Sequence, residues 1–135
     1  MLLLLFLSGC GANQLHPLDA ERFLHEAVAA GMDFAIVMAT VRDGIRHETM
    51  SRSDAIEAVE RAQEGLRAAE AKLKRHRFPP YYERQMLRAL QSLEELQTTG
   101  ELMKAALRGN YPYGNVEKLY HQAMQIASQA GANVR

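Results

Sequence analysis

The sequence of 135 residues contains one cysteine, no tryptophan and no net charge. A single cysteine excludes an internal disulfide, so the fold has to rely on packing. Sixteen Lys and Arg residues balance sixteen Asp and Glu residues. No overall field therefore recruits nucleic acid, and a charged partner has to be met by a local patch. The sequence also lacks strand-like alternation, low-complexity segments and internal repeats, which excludes β-rich and repeat folds.

What the sequence does have is an abundance of strong helix formers, above all Ala, Leu, Glu, Gln and Arg. In four segments, apolar residues recur at alternating spacings of four and three, which is the seam of a helix that packs in a bundle. Short connections between four such helices favour an up-down path. We therefore predict an all-α fold, an antiparallel up-down-up-down four-helix bundle with long helices and a shorter fourth. The predicted seam residues are Ala20, Leu24, Ala27, Gly31, Phe34, Met38 and Val41; Ala55, Val59, Ala62, Leu66, Ala69 and Leu73; Tyr82, Met86, Ala89, Leu93, Leu96, Gly100, Met103 and Leu107; and Val116, Leu119, Ala123, Ile126 and Ala130.

Caps set the predicted ends of the first two helices. Asp19 is the predicted N-cap of the first helix, and Gly44 is its predicted C′ residue in a Schellman-type stop. Ser51 opens the second helix, with Asp54 in a variant of the capping box. The pair Pro79-Pro80 has to end the second helix, because neither proline tolerates an interior position.

The last two helices are bounded by turn residues. Pro80 suits the first turn of the third helix, which we predict to run unbroken through Thr98, Thr99 and Gly100 to Arg108. Glycine, asparagine and proline cluster between residues 109 and 114 and predict a turn. Asn115 is the predicted cap of a fourth helix that ends at Gly131.

The N-terminal stretch has an apolar run from Leu2 to Leu7, followed by Ser8, Gly9 and Cys10. The run is too short to span a membrane, which takes about 20 apolar residues. It lacks the basic residue that usually precedes the apolar part of a secretory signal. The small residues before Cys10 suit a cleavage site.

The order Leu7-Ser8-Gly9-Cys10 resembles the lipobox of bacterial lipoproteins, whose cysteine takes a diacylglycerol and becomes the new N-terminus after cleavage. The resemblance implies a signal peptide over residues 1–9, a lipidated Cys10 with a short tether over residues 10–18, and a helical domain over residues 19–135. It also implies a palmitate-bearing protein anchored in the cell envelope. With Gly11 after the cysteine, the resemblance favours the outer membrane, facing the periplasm.

One local break in the charge balance lies between the second and third helices. Its cations and aromatic residues fit an anionic membrane surface, or another anionic envelope polymer. In an up-down bundle that rises from a lipid anchor, this connection returns to the membrane. The alternative interpretation is that the cations complement a helix dipole and the prolines make a turn. The candidate residues are Lys72, Lys74, Arg75, Arg77, Phe78, Tyr81 and Tyr82, followed by Arg84 and Arg88.

No pattern in the sequence points to catalysis, and we predict a protein that is not an enzyme and holds no cofactor. HExxH, CxxCH, paired cysteines and Gly-x-Ser-x-Gly are absent from the sequence. Five histidines are scattered, and we predict His16, His25 and His76 near one end of the bundle and His47 and His121 near the other. No metal site is predicted.

The function that remains is an accessory or adaptor role through protein contacts or self-association. The stretch from Phe34 to Val41 is apolar nearly all round, so either it is the most buried segment or part of it faces a partner. A membrane span there is disfavoured, because His25, Glu26 and Asp33 interrupt the apolar window. The alternative function is a ligand-binding bundle that holds metal, haem or a lipid-like molecule beside a short fourth helix.

Overall fold

The computed structural model describes residues 14–109 and 112–134. In these residues four helices pack against one another, so the all-α prediction is confirmed. Helix α1 spans Pro17–Arg46, α2 spans Arg52–Arg75, α3 spans Glu83–Arg108 and α4 spans Pro112–Val134. A 3₁₀ turn over Pro80–Tyr82 leads into α3. The leader, Cys10 and most of the predicted tether lie outside the described residues.

Most of the large apolar residues of the core are those that the helical periodicity predicts, and Phe23 and Phe78 join them from outside the predicted seams. Helix α1 contacts each of the other three helices, and its seam is buried from Ala20 to Val41. Apart from seam residues that are alanine, three predicted seam residues are only half-buried: Tyr82, Met86 and Ile126. Fully buried large side chains come from α1, α2 and α3, and they include Leu24, Phe34, Met38, Leu66, Leu73, Leu93, Leu96, Met103 and Leu107.

Both predicted ends of α1 are wrong by a few residues. The helix begins at Pro17, and His16 is its N-cap because the His16 ring accepts a hydrogen bond from the Leu18 N–H at 3.2 Å. At the other end the helix continues to Arg46, and Gly44 lies inside it. A Cβ atom on Gly44 would meet the Met50 Cβ at 2.6 Å. Gly44 is therefore required by the close approach of the next connection, not by a left-handed C′ conformation.

The second helix begins as predicted. The Ser51 hydroxyl accepts a hydrogen bond from the Asp54 N–H at 3.0 Å. The helix ends at Arg75, ahead of the two prolines. Helix α3 then runs unbroken through Thr98, Thr99 and Gly100 to Arg108, as predicted.

Helix α4 is longer at both ends than the turn residues indicate. It begins at Pro112, so Asn115 is an exposed residue within the helix and not its cap. Proline suits the first helical position because its missing N–H would have no partner there. The helix continues past Gly131 to Val134, and its 23 residues compare with 24 in α2. In its seam, Ala127 is fully buried, whereas the predicted seam residue Ile126 is only half-buried.

One polar residue interrupts the apolar contact between α2 and α3. The fully buried Gln63 donates from Nε2 to the Gln97 carbonyl at 3.1 Å, and Gln97 donates from its own Nε2 to the Gln63 carbonyl at 3.0 Å. A Cβ atom on Gly100 would lie 2.7 Å from the Gln63 amide nitrogen. Gly100 therefore makes room for the Gln63 side chain. The two reciprocal hydrogen bonds, each from a side-chain amide to the other residue's backbone carbonyl, fix the register of α2 against α3.

Candidate functional site

The connection between α2 and α3 is tied to the start of the described chain. The Leu15 N–H donates to the Arg77 carbonyl at 2.8 Å, and Gln14 forms an isolated parallel bridge with Arg77. Gln14 and Leu15 therefore meet the bundle at the connection that carries the predicted patch.

Part of the predicted patch packs against α1. The Lys72 ammonium lies 4.4 Å from the centre of the Phe23 ring and pairs with the Glu26 carboxylate. The His76 ring lies 4.8 Å from the same phenylalanine ring, and its Nδ1 is 2.8 Å from the Lys72 carbonyl oxygen. Through these contacts, Lys72 and His76 join the end of α2 to the first turns of α1.

Two of the three predicted aromatic residues are turned toward the bundle. Phe78 is only 6% exposed and belongs to the core. The Tyr82 hydroxyl donates to the Glu21 carboxylate at 2.8 Å. This hydrogen bond raises the pKa of Tyr82, and partial burial and the charge of Glu21 raise it further. Both side chains hold the connection in place and leave little surface for a partner.

The remaining predicted residues lie on the surface. Tyr81 is 83% exposed, and its ring meets the Tyr82 ring edge-on. Lys74 is exposed and lies 3.9 Å from the Glu70 carboxylate on its own helix. Arg75 and Arg77 are exposed and have no carboxylate within 4.0 Å among residues 14–109 and 112–134. The same is true of Arg84.

The periodicity does not single out one further exposed residue of this end, Leu18. It is 70% exposed in the first turn of α1, three residues from the hydrogen bond between Leu15 and Arg77. Leu18 precedes the seam residue Ala20 by two positions, so it lies off the apolar face of the helix. This off-seam position of a leucine is the one sequence signal for its exposure. We define the connection patch as the exposed residues Leu18, Arg75, Arg77, Tyr81 and Arg84.

Near the C-terminal end of α1, Arg42 packs against α4. The Arg42 guanidinium lies 3.9 Å from the centre of the Tyr120 ring on α4 and pairs with Asp43 at 3.0 Å. Glu117 lies 3.8 Å away. The hydrogen bond to Asp43 raises the pKa of Arg42, and the nearby acidic groups add to that effect against a smaller desolvation cost. Arg42 therefore serves to join α1 to α4.

A shallow apolar groove lies between the end of α3 and the start of α4. Its volume is about 570 Å³, within the range of about 300–1,000 Å³ that is usual for ligand pockets. Leu102, 49% exposed, lies at its edge, and Leu119 and Lys118 line its α4 side. The groove is open to solvent along its length, so it resembles a surface between helices more than an enclosed cavity.

The five histidines occupy both ends of the bundle. His16 caps α1, the His25 Nδ1 lies 3.0 Å from the Glu21 carbonyl oxygen, and His76 packs on Phe23. His121 lies 3.0 Å from the Glu117 carboxylate. In the part of the chain that the structure describes, no three His, Cys, Asp or Glu side chains come together as metal ligands would.

Helix α1 is the one described helix whose length and apolar composition would suffice to cross a membrane. Its seam, however, is buried against all three other helices. That is the arrangement expected for the central helix of a bundle, and of its large apolar residues between Phe34 and Val41 only Ile36 is more than half exposed.

Comparison of the chain with protein families, with curated proteins and with solved structures finds no match.

Proposed function

We propose that the chain is a lipid-anchored protein of the bacterial cell envelope, attached through a diacylglycerol on Cys10. The support is the stretch from Leu7 to Cys10 behind an apolar run, as in the bacterial lipoproteins it resembles. Two or three acyl chains anchor a protein firmly, since each buried methylene contributes about 0.8 kcal/mol. We place the anchor in the outer membrane, with the domain facing the periplasm.

The observation that supports this proposal best is the backbone pairing of Leu15 and Gln14 with Arg77. It brings Gln14 and Leu15 to the end of the bundle where the exposed residues Arg75, Arg77 and Arg84 lie with the exposed side chains of Leu18 and Tyr81. Such a surface suits a membrane interface, where a side chain can place its apolar part in the lipid and its polar end in water.

We further propose that the four helices follow an up-down-up-down path. Three contacts support it: Lys72 near the end of α2 reaches Glu26 near the start of α1, Tyr82 just before α3 reaches Glu21, and Arg52 at the start of α2 donates to the Gly109 carbonyl after α3. In this arrangement, both the start of α1 and the connection between α2 and α3 face the lipid. The groove beside Leu102 then lies at the end remote from it.

The proposed role of the domain is that of a non-enzymatic accessory or adaptor, which acts by contact with another envelope protein. Its support is the exposed apolar side chains Ile36, Leu87 and Leu102, with 55%, 56% and 49% exposure, on α1 and α3. Leu102 lines the groove between α3 and α4, and large exposed apolar side chains are what a protein partner covers.

A second candidate function is the binding of a small apolar or lipid-like molecule in the groove between α3 and α4. The size of the groove favours it. A lipid-like ligand that binds there raises the melting temperature of the domain by mass action. An unchanged melting temperature with fatty acids, phospholipids, haem and divalent metals contradicts this candidate.

The anchor is tested by metabolic labelling with a fatty-acid analogue, comparing the native chain with the Cys10→Ala variant. We expect label and membrane fractionation in the native chain, and loss of the label in the variant. A Ser8→Ala variant, which keeps a small residue before the cysteine, serves as the matched control and should retain the label. Equal labelling of the native and Cys10→Ala chains, or none in either, would contradict the proposal.

A further inference from the structure

We propose that the connection patch binds the anionic phospholipid head groups of the membrane and gives the domain a second attachment beside the lipid on Cys10. This inference rests on the lipid anchor proposed above. The binding surface consists of Leu18, Arg75, Arg77, Tyr81 and Arg84, and its partner is the lipid surface.

Covalent geometry keeps the patch close to the bilayer. Gln14 is paired with Arg77, and only three residues separate it from Cys10. The four Cα–Cα steps from Cys10 to Gln14 span at most about 14 Å when fully extended. A lipidated Cys10 lies at the membrane surface, so Gln14 lies within that distance of it, and the paired Arg77 lies about 5 Å further at most. The electrostatic field of the surface decays over about 8 Å at physiological ionic strength, so the patch lies in this field when the tether is less than fully extended.

The tether also makes the contact intramolecular. A weak attraction between separate partners becomes effective when a short linker holds them together, because the local concentration is then high. The patch therefore needs only modest affinity for the head groups to keep the bundle in one orientation on the bilayer.

The chemistry of the patch suits phospholipids. Guanidinium groups bind phosphate with two parallel hydrogen bonds, and Arg75, Arg77 and Arg84 are exposed without a carboxylate partner among the described residues. Tyr81 and Leu18 are the two most exposed large apolar side chains of the described chain, at 83% and 70%. Tyrosine is favoured at the level of the head groups, and leucine suits the acyl region below.

The helix dipole does not account for all three arginines. Arg75 lies in the last turn of α2, where a cation complements the negative end of the helix. Arg77 follows the C-cap residue and belongs to no helix. Arg84 is the second residue of α3, at the positive end of that helix, where a cation is unfavourable. An external anion explains the positions of Arg77 and Arg84.

The test uses the full lipidated chain in vesicles and exploits the absence of tryptophan from the sequence. A Tyr81→Trp variant carries a single fluorescent reporter in the patch, and a Leu102→Trp variant carries one in the groove. Vesicles contain phosphatidylcholine with brominated acyl chains, with or without phosphatidylglycerol. Bromine quenches tryptophan only at short range, so quenching measures contact with the bilayer.

We expect the Tyr81→Trp reporter to be quenched several-fold more strongly than the Leu102→Trp reporter when phosphatidylglycerol is present. Adding Arg75→Glu, Arg77→Glu and Arg84→Glu to the Tyr81→Trp variant should abolish this excess. The matched control adds Arg46→Glu, Arg108→Glu and Lys118→Glu, three exposed cations at the opposite end that make no ion pair among the described residues, and it should leave the quenching unchanged.

Flotation of the variants with the vesicles separates the two proposals. A chain that does not float has no lipid anchor, which overturns both. A chain that floats but shows equal quenching of the two reporters, or quenching of the Tyr81→Trp reporter that is indifferent to phosphatidylglycerol and to the three arginine changes, keeps the anchor and overturns the lipid-binding patch. A Tyr81→Trp emission shift with a soluble polyanion but not with phosphatidylglycerol also overturns it.

Discussion

At the end of the bundle where α1 finishes, Arg42 lies over the Tyr120 ring, and Arg52 donates to the Gly109 carbonyl. Where α1 begins, Arg75, Arg77 and Arg84 extend into solvent. Arg42 and Arg52 thus join elements at one end, where Arg46 and Arg108 remain exposed, whereas Arg75, Arg77 and Arg84 at the other end make no ion pair among the described residues. The packing of the helices gives no reason for the three cations at the start of α1, and the short tether to Cys10 favours an external partner for them over one for Arg46 and Arg108.

The connection end still has to be closed against water, and aromatic side chains do this. Phe78 is buried in the core, while Tyr82 and the stack of His76 on Phe23 join the connection to α1. The opposite end is closed by backbone approach, because Met50 packs directly on Gly44 and the Thr49 and Met50 N–H groups donate to the Gly44 carbonyl. Each end can therefore be broken by a different kind of substitution.

The largest effect is expected at Phe78. Replacing this buried ring with alanine leaves a cavity, so we expect the Phe78→Ala variant to lose about 3–5 kcal/mol of unfolding free energy in urea titrations. The neighbouring Tyr81→Ala variant is the control. Its ring is mostly exposed, and we expect a change within about 0.5 kcal/mol. Similar losses from both variants would show that Phe78 does not seal the connection end.

A glycine change should break the opposite end. The Gly44→Ala variant drives a Cβ into the Met50 Cβ, which has no flexible end to move, and we expect a loss of about 1–3 kcal/mol. Gly65 is the matched control, because it is helical, exposed and has nothing within 4 Å of an added Cβ. We expect the Gly65→Ala variant to gain about 0.5–1 kcal/mol, through helix propensity alone. A gain from both would mean that Met50 does not lie on Gly44.

The contacts of Tyr82 and Glu101 should make the unfolding free energy depend on pH at opposite extremes. The raised pKa of Tyr82 means that its contact with Glu21 is complete below the unfolded value of 10.0 and is lost as the pH rises through the folded value. Glu101 behaves in the opposite way, because hydrogen bonds from Lys104 and Gln63 lower its pKa. Its contribution is present above the unfolded value of 4.5 and is lost as the pH falls through the folded value.

The variants Tyr82→Phe and Glu101→Gln separate these two responses. In urea titrations across the pH range, we expect the first to flatten only the alkaline fall in stability and the second only the acidic fall. A Tyr82→Phe variant with an unchanged alkaline response would show that the hydrogen bond to Glu21 does not contribute to folding.

The smallest effect on stability is expected from the exposed arginines. Reversing the charge of Arg75 and Arg77 should change the unfolding free energy by less than about 0.5 kcal/mol, since neither side chain has an ion-pair partner among the described residues. The Arg42→Glu variant, by contrast, removes the contacts with Asp43 and Tyr120 and should be clearly less stable in the same titration. An equal cost for both would remove the contrast between the two ends.

Periodicity was sufficient to predict the helices and most of their large core residues, because a spacing of four and three is a property of one helix alone. It missed Phe23 and Phe78, which are buried although they lie off the predicted seams. The helix ends were harder, because they depend on contacts between segments. The pattern around Gly44 matched a C′ glycine, but the position is decided by Met50 in the next connection. Asn115 matched an N-cap, but Pro112 begins the helix three residues earlier.

The candidate site was predictable as a location but not in its detail. The run from Lys72 to Tyr82 identified the connection, because its charges and aromatic residues are adjacent in sequence. Which of these residues face inward depends on residues of α1 that are about 50 to 60 positions away. Lys72 forms an ion pair with Glu26, and Tyr82 donates a hydrogen bond to Glu21. Gln63 was missed for the same reason, because a buried glutamine is explained only by Gln97 on the facing helix.

Mass spectrometry of the N-terminal peptide of the protein purified from bacterial membranes is the most direct test of the lipid anchor. We expect a peptide that begins at Cys10 and carries the added mass of a diacylglyceryl group. Such an attachment would hold the connection patch close to the bilayer. A peptide that retains Leu7, Ser8 and Gly9 ahead of an unmodified cysteine would contradict the lipid anchor.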